Sequence, residues 1–288
     1  MDQPVSILDA VRDLTREEYE LFRRLVYEKS GINLGDQKMQ LVRARLGKRI
    51  REGGFRSYRA YYEYVRRDTT GRELCDLLDA ISTNTTHLFR EKQHFDFLAQ
   101  ALKEWTDDRP WRAAHRQVRL WSAACSSGEE PYSIAMTAHD ALRACPELEL
   151  KILATDISTR MLECAKAGLF EPHRVGTVPE AFRRRYLARV QHDGQSYLQI
   201  TPELRRVITF ARFNLMDEAY PFRHRFDVIF CRNVMIYFDR ATQQNLVAKL
   251  VRHLQPGGYL LIGHSESLSA IEHPLTYVRP TVYRRPLP

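Results

Sequence analysis

The sequence predicts an α/β protein: a Rossmann-like domain with a small antiparallel β insert, preceded by a small all-α domain. Three observations lead there. From Val118 onward, short apolar strands alternate with helical stretches, the pattern of a parallel sheet with helices on its faces. The first of these strands runs into a turn of small residues and the second ends in an acid, Asp156, which is how such a sheet holds an adenosine group. The first third of the chain instead repeats its apolar residues at helical spacing.

The helical part starts at Leu14–Tyr19. Thr15 and Glu18 make a capping box, with Leu14 and Tyr19 placed as a hydrophobic staple. Tyr19, Phe22, Leu25 and Val26 follow on one face, and Gly31 ends the helix. A second helix runs from about Asp36 to Glu52, burying Met39, Val42, Leu46 and Ile50. Lys38, Arg45, Lys48 and Arg49 share the adjacent face. Ser57 caps a third helix with Tyr58, Tyr61, Tyr62 and Val65 on one side, and Arg72–Ile81 forms a fourth. Residues 1–82 are thus one helical domain. A polar, turn-prone run follows (Ser82–Glu91), then a helix through Phe95, Leu98 and Leu102, and Asp107–Pro110 reads as a linker. Residues 83–110 are accordingly a connecting segment, and 111–288 the sheet domain.

In the sheet domain the expected strands are Val118–Ser122, Lys151–Thr155, Val207–Phe213, Phe226–Cys231 and Tyr259–Gly263. The expected helices are Glu130–Arg143, Ser158–Ala167 and Arg240–Leu254. Gln255–Gly258 reads as a breaker before the last central strand, and Tyr277–Arg284 as an antiparallel edge. One stretch departs from the alternation. Asp193-Gly194 is a hairpin signal flanked by Leu187–Val190 and Ser196–Ile200, so a β insert is expected at about 181–206.

Bulk properties narrow the class. At 288 residues with 44% hydrophobic content the chain suits one large or two modest soluble domains. No apolar run approaches the ~18 residues of a membrane span, so no membrane insertion is expected. The start, MDQPVSILDAVRD, lacks the basic and apolar segments of a secretory signal. Five cysteines without ligand spacing read as reduced thiols, which points to the cytoplasm and implies no metal. A net charge of +8 fits nucleic acid, anionic lipid, an acidic protein surface or a merely solvated surface, and the sign alone does not choose among them.

The turn after the first strand names the ligand class. It contains no G-x-G-x-x-G, only Ser122, Ala123, Ala124, Cys125, Ser126, Ser127 and Gly128, and it leads into Glu129 and Glu130. A pyrophosphate wants glycines and a bare helix N-terminus. Carboxylates there repel a pyrophosphate and attract an ammonium, so S-adenosylmethionine fits better than a dinucleotide. Asp156 then accepts from the ribose hydroxyls, or caps the helix after it, or both. One of Glu129 and Glu130 complements the helix dipole and the other, with Glu130 favoured, meets the ligand's ammonium. Arg232, Asn233 and Tyr237 follow a strand end, where open α/β sheets bind ligands. The Asp/Asn-Pro-Pro-Tyr/Phe string of amino-methylating enzymes is missing there, which speaks against nucleic acid as partner. The main alternative among enzymes is a methyltransferase acting on nucleic acid or a small molecule, and the competing reading from a different class is a non-catalytic, cofactor-binding adaptor.

These strings together resemble the chemotaxis receptor methyltransferase family, CheR: TNTTHLFRE (83–91), WSAACSSGEEPYSIAM (121–136), ATDIS (154–158), FCRNVMIYFD (230–239), QPGGYLLIGHSES (255–267) and TVYRR (281–285). The resemblance covers nearly the whole chain. It implies a class I S-adenosylmethionine-dependent methyltransferase that converts receptor glutamates to methyl esters for sensory adaptation and leaves S-adenosylhomocysteine. It also implies roles. Asn84, Thr86 and Arg90 touch the cofactor from the connecting segment, and Ser122 and Ala123 from the turn. Glu130 takes the ammonium, Asp156 the ribose, Asn214 and Leu215 flank the adenine, and Arg232 and Asn233 line the pocket floor. Arg90 and Tyr237 face the transferring methyl. Lys38, Arg45, Lys48 and Arg49 suit the acidic cytoplasmic helical bundle of a receptor, and the β insert can accept a receptor C-terminal peptide.

Overall fold

The computed structural model describes residues 13–82 and 85–287. They form two compact units, one of 13–82 with Tyr237–Asp239, the other of 85–236 and 240–287. Asn84 lies outside the described residues.

The first unit packs α1 (Arg16–Ser30), α2 (Met39–Glu52), α3 (Tyr58–Arg67) and α4 (Arg72–Ile81). The Thr15–Glu18 capping box is present and Ser57 caps α3 through the Ala60 N–H. Tyr19, Phe22, Val42, Leu46, Ile50, Tyr61 and Leu77 are fully buried, and Phe22 meets the edge of Tyr62 at 5.6 Å. The start of the second helix is different from the expectation: Asp36–Lys38 form a 3₁₀ turn before α2 begins.

The second unit opens with α5 (Gln93–Asp107) and α6 (Arg109–Ala114). Asp108 accepts from the Trp111 N–H and caps α6, so the expected linker at 107–110 is a junction between two helices. Phe95, Leu98, Ala101 and Leu102 of α5 belong to the same core as the sheet. Most of the connecting segment is therefore part of the second unit, because its apolar face needs the sheet for burial.

The chain then forms β1 (Gln117–Ser122), α7 (Glu129–Leu142), β2 (Glu149–Asp156) and α8 (Thr159–Ala167). The insert follows with β3 (Leu169–Phe170), a 3₁₀ turn Pro172–Val175, α9 (Glu180–Tyr186), β4 (Leu187–His192) and β5 (Gln195–Ile200). After it come α10 (Pro202–Arg206), β6 (Ile208–Arg212), β7 (Phe226–Cys231), α11 (Arg240–His253), β8 (Leu254–Ile262), β9 (Thr276–Arg279) and β10 (Val282–Arg284). The seven-stranded sheet has the order β6-β2-β1-β7-β8-β10-β9. Strands β6 through β8 are parallel, and β10 joins β8 antiparallel. From β1 the chain builds outward through β2 and β6, then returns to place β7 on the other side. That reversal at β1/β7 is where such sheets bind ligands.

The insert is an antiparallel sheet of order β3-β5-β4. Its hairpin turn, Asp193-Gly194, has φ of 48° and 73°, the two-residue turn that matches strand twist. The expected breaker at Gln255–Gly258 is instead absorbed into β8, with a register irregularity opposite Phe226/Val228. The Gly257 N–H finds a partner in the Arg285 carbonyl, so the strand stays satisfied despite Pro256.

Candidate active site

The turn after β1 is laced to its neighbours by backbone bonds. The Ala123 N–H donates to Phe230 O of β7 and the Cys125 N–H to Thr155 O of β2. Gly128 ends the turn at φ 99°, and a Cβ there would meet the Ala165 backbone at 3.0 Å. Only glycine combines that torsion with that approach. The turn thus closes tightly on the strand ends, as a bound nucleoside requires.

Asp156, at the tip of β2, is buried. Its carboxylate accepts from the Ser126 N–H at 2.8 Å and the Ser158 N–H at 2.9 Å. Ser158, not Asp156, caps α8, through the Met161 N–H. A carboxylate can accept up to about four hydrogen bonds, so this anchoring orients Asp156 without excluding ribose hydroxyls.

The two glutamates that open α7 part company. Glu129 is fully buried and pairs with Arg174 of the insert's 3₁₀ turn, and its other oxygen accepts from Ser127. Glu130 accepts from Ser122 Oγ at 2.7 Å and from Arg232 at 2.8 Å. Burial raises the Glu130 carboxyl, against the opposing charge of Arg232.

Arg232, just beyond β7, is the hub. Only 4% exposed, it also bonds Glu91 at 3.0 Å and the Arg90 carbonyl. Glu91 in turn accepts from Asn233 Nδ2 and from the His264 N–H after β8, both at 3.2 Å. Burial alone would raise the Glu91 carboxyl, but Arg232 and these donors outweigh it and hold it below the usual range. Glu266 accepts from the N–H groups of Asn233, Met235 and Gly263. A Cβ at Gly263 would meet Asn233 Nδ2 at 2.5 Å, so glycine is required where the two strand ends converge.

Arg90 is half-buried and donates to Thr85 O at 2.9 Å. Its neighbours Phe89 and Glu91 both have left-handed backbone, φ 56° and 60°. Non-glycine residues hold such torsions only where surroundings fix them, which is common at active sites. Here the Phe89 N–H donates to Ser133 Oγ, Thr177 Oγ1 donates to Leu88 O, and Glu91 is fixed by Arg232.

The structure therefore brings Ser122, Ala123, Glu130, Asp156, Arg232, Asn233 and Arg90 to one end of the sheet. Thr86 is half-buried in the same segment as Arg90. Asn214 and buried Leu215 follow β6, with Asn214 Oδ1 accepting from Met216 N–H in a turn. Tyr237 ends the 3₁₀ turn Met235–Tyr237 and belongs to the first unit, where its carbonyl accepts from Asn33 N–H. Glu91, Glu266 and Arg174 escaped the sequence reading. Two of them lie inside strings singled out for other residues, and a linear string does not say which of its acids turns inward.

On the first unit, the expected basic face is divided. Lys38 and Lys48 are exposed. Arg45 donates to the carbonyls of Ile81 and Ser82, closing the end of α4. Arg49 forks onto Glu73 and also reaches Asp76.

Residues 84–284 match the family model described as CheR methyltransferase, SAM binding domain, and residues 17–82 match CheR methyltransferase, all-alpha domain. The chain is 38% identical over 274 residues to the chemotaxis protein methyltransferase of Borreliella burgdorferi, covering 95% of each. It is 36% identical over 270 residues to that of Escherichia coli, covering 94% of this chain and 91% of the relative.

Proposed function

Since the chain belongs to the CheR methyltransferase family of S-adenosylmethionine-dependent enzymes acting in chemotaxis, we propose that it methylates glutamate side chains of chemoreceptors to glutamyl methyl esters. The observation that carries this reading is the pair of buried acids, Asp156 and Glu130, flanking a glycine-poor turn at the β1/β7 reversal. Together they suit a nucleoside with a cationic tail.

S-adenosylmethionine supplies an electrophilic methyl on a sulfonium and leaves as S-adenosylhomocysteine. Asp156 accepts the ribose hydroxyls and Glu130, steadied by Ser122 and Arg232, takes the ammonium. Ala123, Thr86 and Asn84 line the cofactor, Asn214 and Leu215 flank the adenine, and Arg232 with Asn233 forms the floor. A free glutamate ionises at about 4.3, so the substrate carboxylate needs no general base at neutral pH. With S-adenosylmethionine bound, its methyl would pass to an oxygen of that carboxylate with S-adenosylhomocysteine as the leaving group, and no residue would have to take up a proton. What remains for the protein is alignment and exclusion of water. Arg90 holds the substrate carboxylate and Tyr237 orients it. The Arg90 guanidinium donates to the Thr85 carbonyl, and its part is to position the nucleophile rather than to neutralise it.

The receptor's acidic helical bundle meets the face bearing Lys38 and Lys48, with Arg45 and Arg49 maintaining the helices beneath it. Among the described residues strand β4 pairs only with β5, so its other edge can accept a receptor C-terminal peptide by strand addition. No helix among the described residues is long and apolar enough to cross a membrane, and the cytoplasm is the compartment where this chemistry meets receptor bundles.

The test uses purified protein, methyl-labelled S-adenosylmethionine and membranes bearing chemoreceptors. Label on receptor bands that mild alkali releases as methanol is the expected result. Alkali-stable label, or none on the receptors, would remove the glutamyl ester.

A further inference from the structure

Glu91, His94 and His264 each place a ligand atom within 4.8 Å of the other two. His94 is the informative member. It is 1% exposed, and its Nε2 lies 2.6 Å from Thr281 Oγ1. The Thr281 hydroxyl has one proton, which it donates to the Pro280 carbonyl at 2.6 Å. The hydroxyl oxygen must then accept from His94 Nε2–H, which leaves Nδ1 with a bare lone pair. That Nδ1 has no hydrogen-bond partner and faces a Glu91 oxygen at 3.4 Å.

Two buried acceptors aimed at one another are unfavourable unless a cation stands between them. A metal ion is such a cation, and three ligand atoms already converge on one point. With ligand bonds of about 2.1 Å, a 3.4 Å separation is close to the span of two ligands at a tetrahedral angle. His264 Nε2 stands 3.9 Å from the same Glu91 oxygen, and its half-exposed ring opens the cluster to solvent. Gln93, whose amide lies 2.6 Å from His264 Nε2, can turn its oxygen inward as a fourth ligand. The nearby cations are Arg232 and Arg279. Against them stand three buried or nearly buried carboxylates, Glu91, Glu130 and Glu266.

We propose that Glu91, His94 and His264 bind a divalent transition-metal ion, with zinc the best match to two imidazoles and one carboxylate. Sequence spacing hid the site, because its third ligand comes from the far end of the sheet. The same carboxylate holds Arg232, Asn233 and the His264 N–H, so a bound metal draws it from the network beneath the active site. Metal occupancy thereby competes with methyl transfer.

The test titrates zinc into the full-length protein against a chromophoric chelator, for wild type and for His264→Ala, with circular dichroism to verify folding. One equivalent should bind to the wild type, and the variant should bind at least about tenfold more weakly. Cobalt substitution of the wild type, which needs no variant, should give a visible spectrum of nitrogen and oxygen ligation. The proposal is overturned if the wild type binds no zinc, if His264→Ala binds it equally well, or if cobalt shows the thiolate charge-transfer band of a cysteine site.

Discussion

Each unit of this protein holds an arginine between two carboxylates. In the helical unit Arg49 sits between Glu73 and Asp76, with side-chain exposures of 35%, 11% and 45%. In the sheet unit Arg232 sits between Glu91 and Glu130, at 2%, 10% and 10%. The chemistry of the pairs is the same and the solvent is not. At the half-open site the charges are screened, and the arginine does little more than tie α2 to α4. At the closed site each charge depends on the others, and the same arrangement fixes the loop of Arg90 and Glu130, the acid proposed to meet the cofactor. Burial is what separates a structural clasp from one that underlies the proposed active site.

The largest expected effect comes from breaking the buried clasp. Arg232→Met strands two carboxylates in a dry environment and should destabilise the protein by about 3–5 kcal/mol, while Arg49→Ala should cost about 1 kcal/mol or less and lose even that in high salt. Chemical denaturation at two salt concentrations checks both. Equal losses would mean that burial does not separate the two sites.

A middle-sized effect belongs to Asp156→Ala. Losing a charge-assisted acceptor is worth about 1.5–3 kcal/mol, so cofactor affinity should fall roughly 10- to 100-fold. Calorimetric titration with S-adenosylmethionine measures it, and unchanged affinity would remove the ribose role.

The smallest effect sharpens the receptor surface. Reversing Arg45 or Arg49 would confound docking with folding, because both are bound within the helical unit. Lys38→Glu with Lys48→Glu changes charge only at exposed positions. Receptor methylation should drop several-fold at low salt, with the difference closing as salt rises. Unaltered methylation at low salt would show that this face does not meet the receptor.

Much of this was readable in one dimension. The capping box at Thr15, the cap at Ser57, the tyrosine stripe of α3 and the Asp193-Gly194 hairpin are local, and local chemistry decided them. Asp156 and Glu130 stood out because a strand end and a helix start announce themselves. What stayed hidden was pairing across the fold. Nothing near Glu129 reveals Arg174, 45 residues on. Nothing near Arg232 reveals Glu91, since the two meet only once the sheet is assembled. Asp107–Pro110 misled for a related reason. Its composition is that of a linker, while the apolar face of α5 on its N-terminal side requires the sheet core.

The most direct measurement keeps both charges and changes only their geometry. Lysine preserves the positive charge but cannot fork across two acids. S-adenosylmethionine titrated into Arg49→Lys should bind as it does to wild type. Titrated into Arg232→Lys, it should bind at least about tenfold more weakly, a loss near 1.4 kcal/mol. Wild-type affinity in both variants would contradict the claim that the buried clasp, rather than charge alone, organises the active site.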